Sequence, residues 1–333
     1  VKYLIVGAGF SGATIARELA EAGHIIDIID KNNHVAGNAY DYKNDIGICI
    51  HKYGPHLFHT KNERVFNYLL RFGAWTPYKH KVKAKLEDGR LVTLPVNRET
   101  KNIVGAENII DIFYRPYTRK MWGINIEKLD PSIMQRVPIR DDMNDLYFPD
   151  DEYQAIPILG YTKLISNMLD HSNIRTISLN TEFHKSMEND YDHVFNSMPI
   201  DVYYNYLYGH LPYRSIKFEH VNLPVERLLP VTTVNFTDNN PVTRMTEWKN
   251  IPYHTNYKSS TTITFETPCD YTENNYERFY PVKDLDGINR KCYEQYKAIK
   301  NDKVTFIGRC GMYVYIDMDQ AVNSALRIAM DYK

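Results

Sequence analysis

The feature that most constrains this chain is a glycine loop, Gly7-Ala8-Gly9-Phe10-Ser11-Gly12. It sits without a spacer between Lys2 to Val6, which reads as a buried strand, and a stretch with Ala13, Ala16, Leu19 and Ala20 at helical spacing. Strand, glycine loop and helix in that order form a phosphate cradle. Gly7 permits the tight turn, Gly9 lets a pyrophosphate approach the backbone, and Gly12 lets the helix lie close to the strand, so that free N–H groups and the positive helix end face the phosphates. A second strand, Ile25 to Ile29, ends in Asp30, where a dinucleotide fold places the acid that hydrogen-bonds the adenosine ribose. These pieces predict a dinucleotide-binding α/β domain at the start of the chain.

At 333 residues the chain exceeds one ordinary domain and suits two or three sharing a core. With 40 basic and 41 acidic residues its net charge is -1, so neither nucleic acid nor an anionic membrane is an expected partner. No run approaches the ~18 apolar residues of a membrane span, and the first residues read as a core strand rather than a signal peptide, so the expected location is cytoplasmic. Cys49, Cys269, Cys292 and Cys310 are scattered without a CxxC pair, which indicates neither zinc nor a disulfide framework. Tyrosine is abundant at 27 copies, offering flat apolar area with a hydroxyl, useful against sugars and phosphates as well as in cores.

Further along, Lys31 to Tyr42 lacks periodicity and reads as a loop able to hold cofactor. His51, His56 and His59 flank a Gly-Pro turn but lack the helical pairing of a zinc site, so hydrogen bonding to a cofactor ring or a core role is expected rather than metal. Glu63 to Phe72 looks helical, and Lys79 to Leu94 reads as a hairpin turning at Glu87-Asp88-Gly89-Arg90. Ile103 to Met121 has a helical pattern (Ile109, Ile110, Phe113, Tyr117) broken at Arg115-Pro116 and closed by Trp122-Gly123, and Asp130-Pro131 opens a short helix. Arg136 to Pro149 is charged and aperiodic, the signature of a loop that moves or binds. A helix over Tyr161 to Leu169 precedes two strands, Ile174 to Leu179 and His193 to Ser197, which return to the first sheet. Ser215 to Phe218, Leu228 to Phe236, Val242 to Trp248 and Ser259 to Phe265 suggest an antiparallel sheet. Val304 to Ile307 reads as a buried strand, Gly308-Arg309 as a turn, and Asp319 to Tyr332 as a helix.

In this order the pieces resemble the UDP-galactopyranose mutase family, flavoenzymes that interconvert the pyranose and furanose forms of a nucleotide-activated galactose. The resemblance rests on GAGFSG (Gly7 to Gly12), GNAYD (Gly37 to Asp41), IHKYGPHLFHT (Ile50 to Thr60), TLPVN (Thr93 to Asn97), YTRKMWG (Tyr117 to Gly123) and RVPIR (Arg136 to Arg140). It continues through IPILGYTKLI (Ile156 to Ile165), YRSIKFE (Tyr213 to Glu219), VNFTD (Val234 to Asp238), FYPV (Phe279 to Val282) and GR…YVYIDMDQ (Gly308 to Gln320). It implies an FAD-binding Rossmann-like domain over residues 1–76, 151–200 and 292–333, an inserted small helical domain over 98–150, and an antiparallel sheet domain over 77–97 and 201–291. Two departures stand out: the stretch between TLPVN and YTRKMWG is shorter than the family's helical domain, which leaves a homodimer open, and His80 falls where the family usually has asparagine.

The resemblance also implies a mechanism, in which N5 of reduced flavin attacks the anomeric carbon, expels UDP, and the opened adduct recloses as the furanose. Turnover then needs a reductant such as NAD(P)H but consumes none. Arg136 and Arg244 match the family's diphosphate-binding arginines, and Tyr147, Tyr280 and Tyr315 the tyrosines that donate to the same phosphates; His59, which falls where the family surrounds the flavin, is implied as catalytic with them. His80, Phe113, Tyr117, Trp122 and Asn235 are implied substrate contacts, with Trp122, Phe113 and Tyr117 as a platform for sugar and uracil. Gly7, Gly9, Phe10, Ser11, Gly12, Asp30, Lys31, Asn38, His56, Leu57, Arg309, Asp317 and Met318 are implied around FAD, with the last helix aiming its positive end at the flavin ring. Arg136 is expected on a mobile loop that closes over the diphosphate opposite Arg244. Rival readings are a flavin oxidoreductase of the amine oxidase type, which shares the first domain, and a nucleotide-sugar binding protein that keeps FAD as structure. Beside UDP-galactose, UDP-N-acetylgalactosamine, a dTDP-6-deoxy sugar and UDP-arabinose are alternative substrates.

Overall fold

The computed structural model describes residues 1–134, 138–255 and 258–333. In chain order, the strands of its two large sheets begin with β1 (Lys2–Val6), β2 (Ile25–Ile29), β3 (Val82–Lys85), β4 (Leu91–Leu94), β5 (Ile174–Ser178) and β6 (His193–Asn196). They continue with β7 (Tyr213–Leu223), β8 (Thr233–Phe236), β9 (Arg244–Glu247), β10 (Thr261–Asp270), β11 (Tyr280–Pro281) and β12 (Val304–Phe306). Four helices matter most for the cleft: α1 (Phe10–Glu21), α2 (Arg115–Trp122), α3 (Gly160–Leu169) and α4 (Met318–Met330).

The first sheet is parallel, in the order β5-β2-β1-β6-β12. Helix α1 packs on α3 and α4, and Ile5, Ile28, Ala13, Ala16 and Leu19 are buried together with Leu164, Val322 and Ala325. Close packing of α1 on β1 is why position 12 is glycine, since a Cβ there would lie 1.9 Å from the Gly7 carbonyl oxygen.

The second sheet runs β11-β7-β10-β9-β8-β3-β4. The sequence reading called it antiparallel, and every pairing but one is; β3 joins β8 in parallel, because the hairpin enters the sheet far earlier in the chain than its neighbour. The hairpin turns as expected, with Gly89 N–H donating to Leu86 O at 2.9 Å. Strand β8 starts five residues later than the Leu228 run suggested, because the N–H groups of Leu228 and Leu229 donate to the buried Glu247 carboxylate instead of a ladder. Two smaller sheets pair Asp41–Lys43 with Cys49–His51, and Phe58–Thr60 and Trp75–Pro77 with Tyr153–Pro157. The former lies partly in the stretch read as a loop.

The helical segment is interrupted twice. It pauses at Gly105, which the pattern did not signal, and at Arg115-Pro116, as expected, a π-helical turn over Ile110–Tyr114 gives way to α2, whose first turn holds the proline. Helix α2 is tied to the second sheet at both sides. Arg214 Nε donates to Met121 O at 2.8 Å, and Lys120 Nζ donates to Val242 O at 3.0 Å. These bonds hold Tyr117 and Trp122 over the sheet. Among the described residues, no helix is long and apolar enough to cross a membrane.

Candidate active site

A cleft of about 1000 Å³ runs between the two large sheets. Its first end is lined by Gly7, Gly9, Phe10, Ser11 and Gly12, and α1 begins there with Gly9 as its N-cap and no side chain capping it. The open first-turn N–H groups suit an anion. Asn38, on a short turn over Gly37–Ala39, lines the facing wall, where a Cβ at Gly37 would come within 3.1 Å of Gly9 Cα. Asp30 lines the cleft as expected, and also holds the loop: one oxygen accepts from Ala8 N–H and the other from Asn32 N–H, both at 2.8 Å. Each carboxylate oxygen keeps a lone pair for a ribose hydroxyl. Lys31 reaches across to Glu277 at 3.6 Å. A pyrophosphate-linked dinucleotide fits this donor set.

The histidine segment forms the joint between the two ends. His56 N–H donates to His51 Nδ1 at 3.0 Å, and the nitrogens His51 Nε2 and His254 Nε2 lie 3.0 Å apart. With His254 Nδ1 donating to Pro252 O at 3.0 Å, one tautomer assignment satisfies the whole buried chain with both rings neutral. His56 Nδ1 donates to Gly54 O at 2.9 Å, and burial pushes its pKa down to about 4. Leu57 and His56 both line the cleft. Gly54 has φ of +84°, and a Cβ would strike Phe218 at 2.9 Å. Among the described residues, no group of three or more His, Cys, Asp or Glu side chains is arranged to hold a metal.

The other end is made of side chains. Arg244 on β9 stands opposite Glu266 on β10, and its Nε donates to Glu266 Oε2 at 2.7 Å. Glu266 is fully buried, its second oxygen has no hydrogen-bond partner among the described residues, and burial raises its pKa against the pull of Arg244. Burial alone would lower the Arg244 value, but Glu266, Tyr117 and Tyr280 hold it above the ordinary guanidinium range. The terminal nitrogens of this fork stay available for a planar oxyanion. Tyr280 and Tyr315 meet edge to face at 5.2 Å, and Trp122 lies 6.3 Å from each. Arg309 lies under both tyrosines, 5.4 and 5.1 Å from the ring centres, and donates to Phe279 O and Ile316 O.

His80 is buried beside Tyr147 and Phe148, its Nδ1 3.1 Å from Tyr78 Oη. Burial, then Arg244 and His59, push its pKa down to about 3, so the ring is neutral. His59 stacks on Phe148 at 3.4 Å and its Nδ1 is 2.5 Å from Asp151. Asn235, opposite Arg244 on β8, also lines the cleft, as do Tyr117, Tyr147 and Met318.

Several expectations need correction. Phe113 is no part of the platform: it is buried with Ile109 against Val82, Val92 and Leu94 of the hairpin and does not line the cleft. The last helix starts at Met318, and Asp317 caps it in a reciprocal box with Gln320, so its positive end already faces a carboxylate. Gly308-Arg309 opens a short helical turn, Gly308–Gly311, rather than a plain turn. Arg136 lies outside the described residues. The part of the expected lid that is described, from 138 on, is tied to the hairpin region by Arg140 N–H donating to Val96 O and Tyr147 N–H to His80 O, and is braced internally by the Arg140 guanidinium donating to Leu146 O and Asn144 O. Glu266, Asp151 and Phe148 were missed. A signal existed for Glu266, a lone acid continuing the alternation Thr262, Thr264 within a β-branched run.

Comparison with known proteins agrees with this arrangement. The family model described as UDP-galactopyranose mutase matches residues 112–315, and that of the NAD(P)-binding Rossmann-like domain matches 5–72. The chain is 34% identical to a probable UDP-galactopyranose mutase of Klebsiella pneumoniae, over 99% of this chain and 94% of the relative. It is also 34% identical to the dTDP-fucopyranose mutase of Escherichia coli, over 99% of this chain and 98% of the relative. A crystal structure of reduced UDP-galactopyranose mutase shares the fold, with a TM-score of 0.74 at 14% identity, covering 99% of this chain and 93% of that one. The fold is shared with a putrescine oxidase, which covers 99% of this chain at a TM-score of 0.61 and 14% identity, but in sequence an L-amino acid oxidase of Lachesis muta matches 21% of this chain, whereas the mutase model covers the segments that carry Tyr117, Asn235, Arg244 and Tyr280. A Rossmann-like cradle opening onto an arginine and tyrosine cleft, matched over nearly the whole chain, makes this protein a member of the UDP-galactopyranose mutase family.

Proposed function

We propose that the protein is a flavin-dependent isomerase that interconverts the pyranose and furanose forms of a nucleotide-diphosphate sugar, with FAD as cofactor and UDP-galactose as substrate. The observation that carries this reading is the Arg244–Glu266 pair, which aims a guanidinium fork into a tyrosine-lined cleft shared with the glycine loop. When bound and reduced, FAD supplies the nucleophile for the anomeric carbon. The protein's part is binding and charge. Arg244, with Arg136 outside the described residues, stabilises the diphosphate while it is detached, and Tyr147, Tyr280 and Tyr315 donate to the same oxygens. Trp122 and Tyr117 offer flat surface to base or sugar, Asn235 and neutral His80 offer hydrogen bonds to hydroxyls, and the His59–Asp151 pair closes the wall beyond.

A 6-deoxy sugar on dTDP is the second reading, supported by equal identity to the dTDP-fucopyranose mutase. The test is incubation of the dithionite- or NAD(P)H-reduced protein with UDP-galactose, UDP-N-acetylgalactosamine, UDP-arabinose and dTDP-fucose, with furanose products resolved by chromatography. UDP-galactofuranose as the main product supports the first reading; conversion of dTDP-fucose alone replaces it. Equal turnover with oxidised flavin, or consumption of one reductant per product, removes the isomerase mechanism.

A further inference from the structure

The connection between β10 and β11 carries Arg278, which lines the cleft at its dinucleotide end and belongs to none of the groups used so far. Its guanidinium lies over two tyrosine rings, 5.6 Å from Tyr213 and 4.8 Å from Tyr271, and both tyrosines are buried. Nη1 donates to Tyr276 O at 3.2 Å, while Nε is buried with no partner among the described residues. Among the described residues no carboxylate pairs with it, although the neighbouring Glu277 pairs with Lys31. A guanidinium fixed in place with more donors than the protein satisfies is suited to an oxyanion.

The surroundings say which oxyanion. Cys310 Sγ lies 3.7 Å from Arg278 O, and Tyr213 Oη donates to Cys310 O at 3.3 Å. Cys310 belongs to the turn Gly308–Gly311, which abuts the phosphate loop: a Cβ at Gly308 would lie 3.4 Å from Ser11 Oγ. Arg309, Arg278 and Lys31 all act on the Cys310 thiol, each opposing the upward push of burial. The Arg278 backbone therefore borders a turn that packs on Ser11 in the first turn of α1, and the neighbouring Glu277 reaches Lys31 beside that loop.

We propose that Arg278 binds the diphosphate of the dinucleotide cofactor, a contact supplied by the substrate-side sheet across the cleft from the glycine loop. This rests on the FAD reading above. It makes cofactor retention depend on the apposition of the two sheets.

The test is FAD release from purified wild-type, Arg278→Ala and Arg278→Lys holoproteins, followed by flavin fluorescence at low and high salt, with nucleotide-sugar KM measured at saturating FAD. Arg278→Ala is expected to weaken FAD binding about ten- to a hundred-fold, the range of a lost charge-assisted contact, and to flatten its salt dependence. Lysine should recover part of the loss. Matching Tm values for the FAD-free forms assign the change to binding rather than folding, and Arg278→Gln serves the same comparison should alanine not fold. FAD release equal to wild type overturns the proposal, and a raised KM with unchanged FAD release moves Arg278 to the substrate diphosphate. A wild-type protein that takes up no FAD instead overturns the cofactor reading itself.

Discussion

At the dinucleotide end the wall is mostly backbone: Gly7 to Gly12, the uncapped start of α1 and the turn at Gly37, with Asp30 holding the loop in shape. At the substrate end it is side chains from α2, β8, β9, β10 and the last loop, converging on the Arg244–Glu266 pair. The first end is built within about thirty residues, by local geometry that any parallel α/β unit can supply. The second needs a strand register that brings Arg244 opposite both Asn235 and Glu266. Recognition by N–H groups is set by shape, whereas recognition by buried charges is set by electrostatics, so the two ends should fail differently.

The largest effect belongs to Arg244→Ala. Loss of a charge-assisted bond to phosphate should lower kcat/KM by roughly ten- to several-hundred-fold. The substitution also leaves Glu266 buried and unpaired, which should cost about 3 to 5 kcal/mol of stability in urea titrations. FAD content should not change. The double variant Arg244→Met with Glu266→Gln should regain stability but not activity; a double variant as unstable as the single one would show that the pair is not the source.

Gly12→Ala tests the other end. The added carbon collides with the Gly7 carbonyl, so α1 must lift from β1, at a cost on the order of 1 to 3 kcal/mol, and the protein should purify with little flavin. A fully yellow Gly12→Ala protein with wild-type Tm would break the shape argument.

Acid should act through the side-chain end and the histidine joint. His51, His56, His80 and His254 are held neutral by burial, His80 with a pKa pushed down to about 3 and His56 to about 4. In the unfolded chain they take up protons near pH ~6.5, which the folded state refuses. Their contribution is therefore intact above that pH, is lost progressively as the pH falls toward about 4, and levels off below the folded values. Tm measured across this window should fall with falling pH, and His51→Gln should make the fall shallower. A flat profile would mean these rings are not buried neutral.

The smallest effect is expected from Lys31→Ala. Its bridge to Glu277 spans the cleft but is solvent-exposed, so it should alter stability by less than about 1 kcal/mol and be insensitive above moderate salt. A larger loss of FAD than in Arg278→Ala would reverse the roles assigned to these two cations.

Both ends held surprises of different kinds. The loop, α1, β2 and Asp30 were legible because each is signalled within a few residues, and so were the hairpin and the closing Gly123. Pro116 marked a real division between a π-helical turn and α2, whereas the pause at Gly105 was not foreseen. Phe113 misled because helical spacing says which residues share a face and not what that face meets. The Leu228 run looked like strand, and only the Glu247 carboxylate, which takes its N–H groups, explains why it is not.

The sequence alone determined the phosphate cradle, the α/β class and the family motifs, since these depend on spacing between near neighbours and on glycines that only one backbone path tolerates. Tertiary structure decided the rest. His51 and His254 meet across 203 positions, where a turn packs on a short strand, and Arg244 and Glu266 across 22, through a strand pairing; no local pattern encodes either. Burial there turns ordinary residues into neutral imidazoles and a held guanidinium, because the cost of losing water depends on everything packed around a group rather than on its place in the chain.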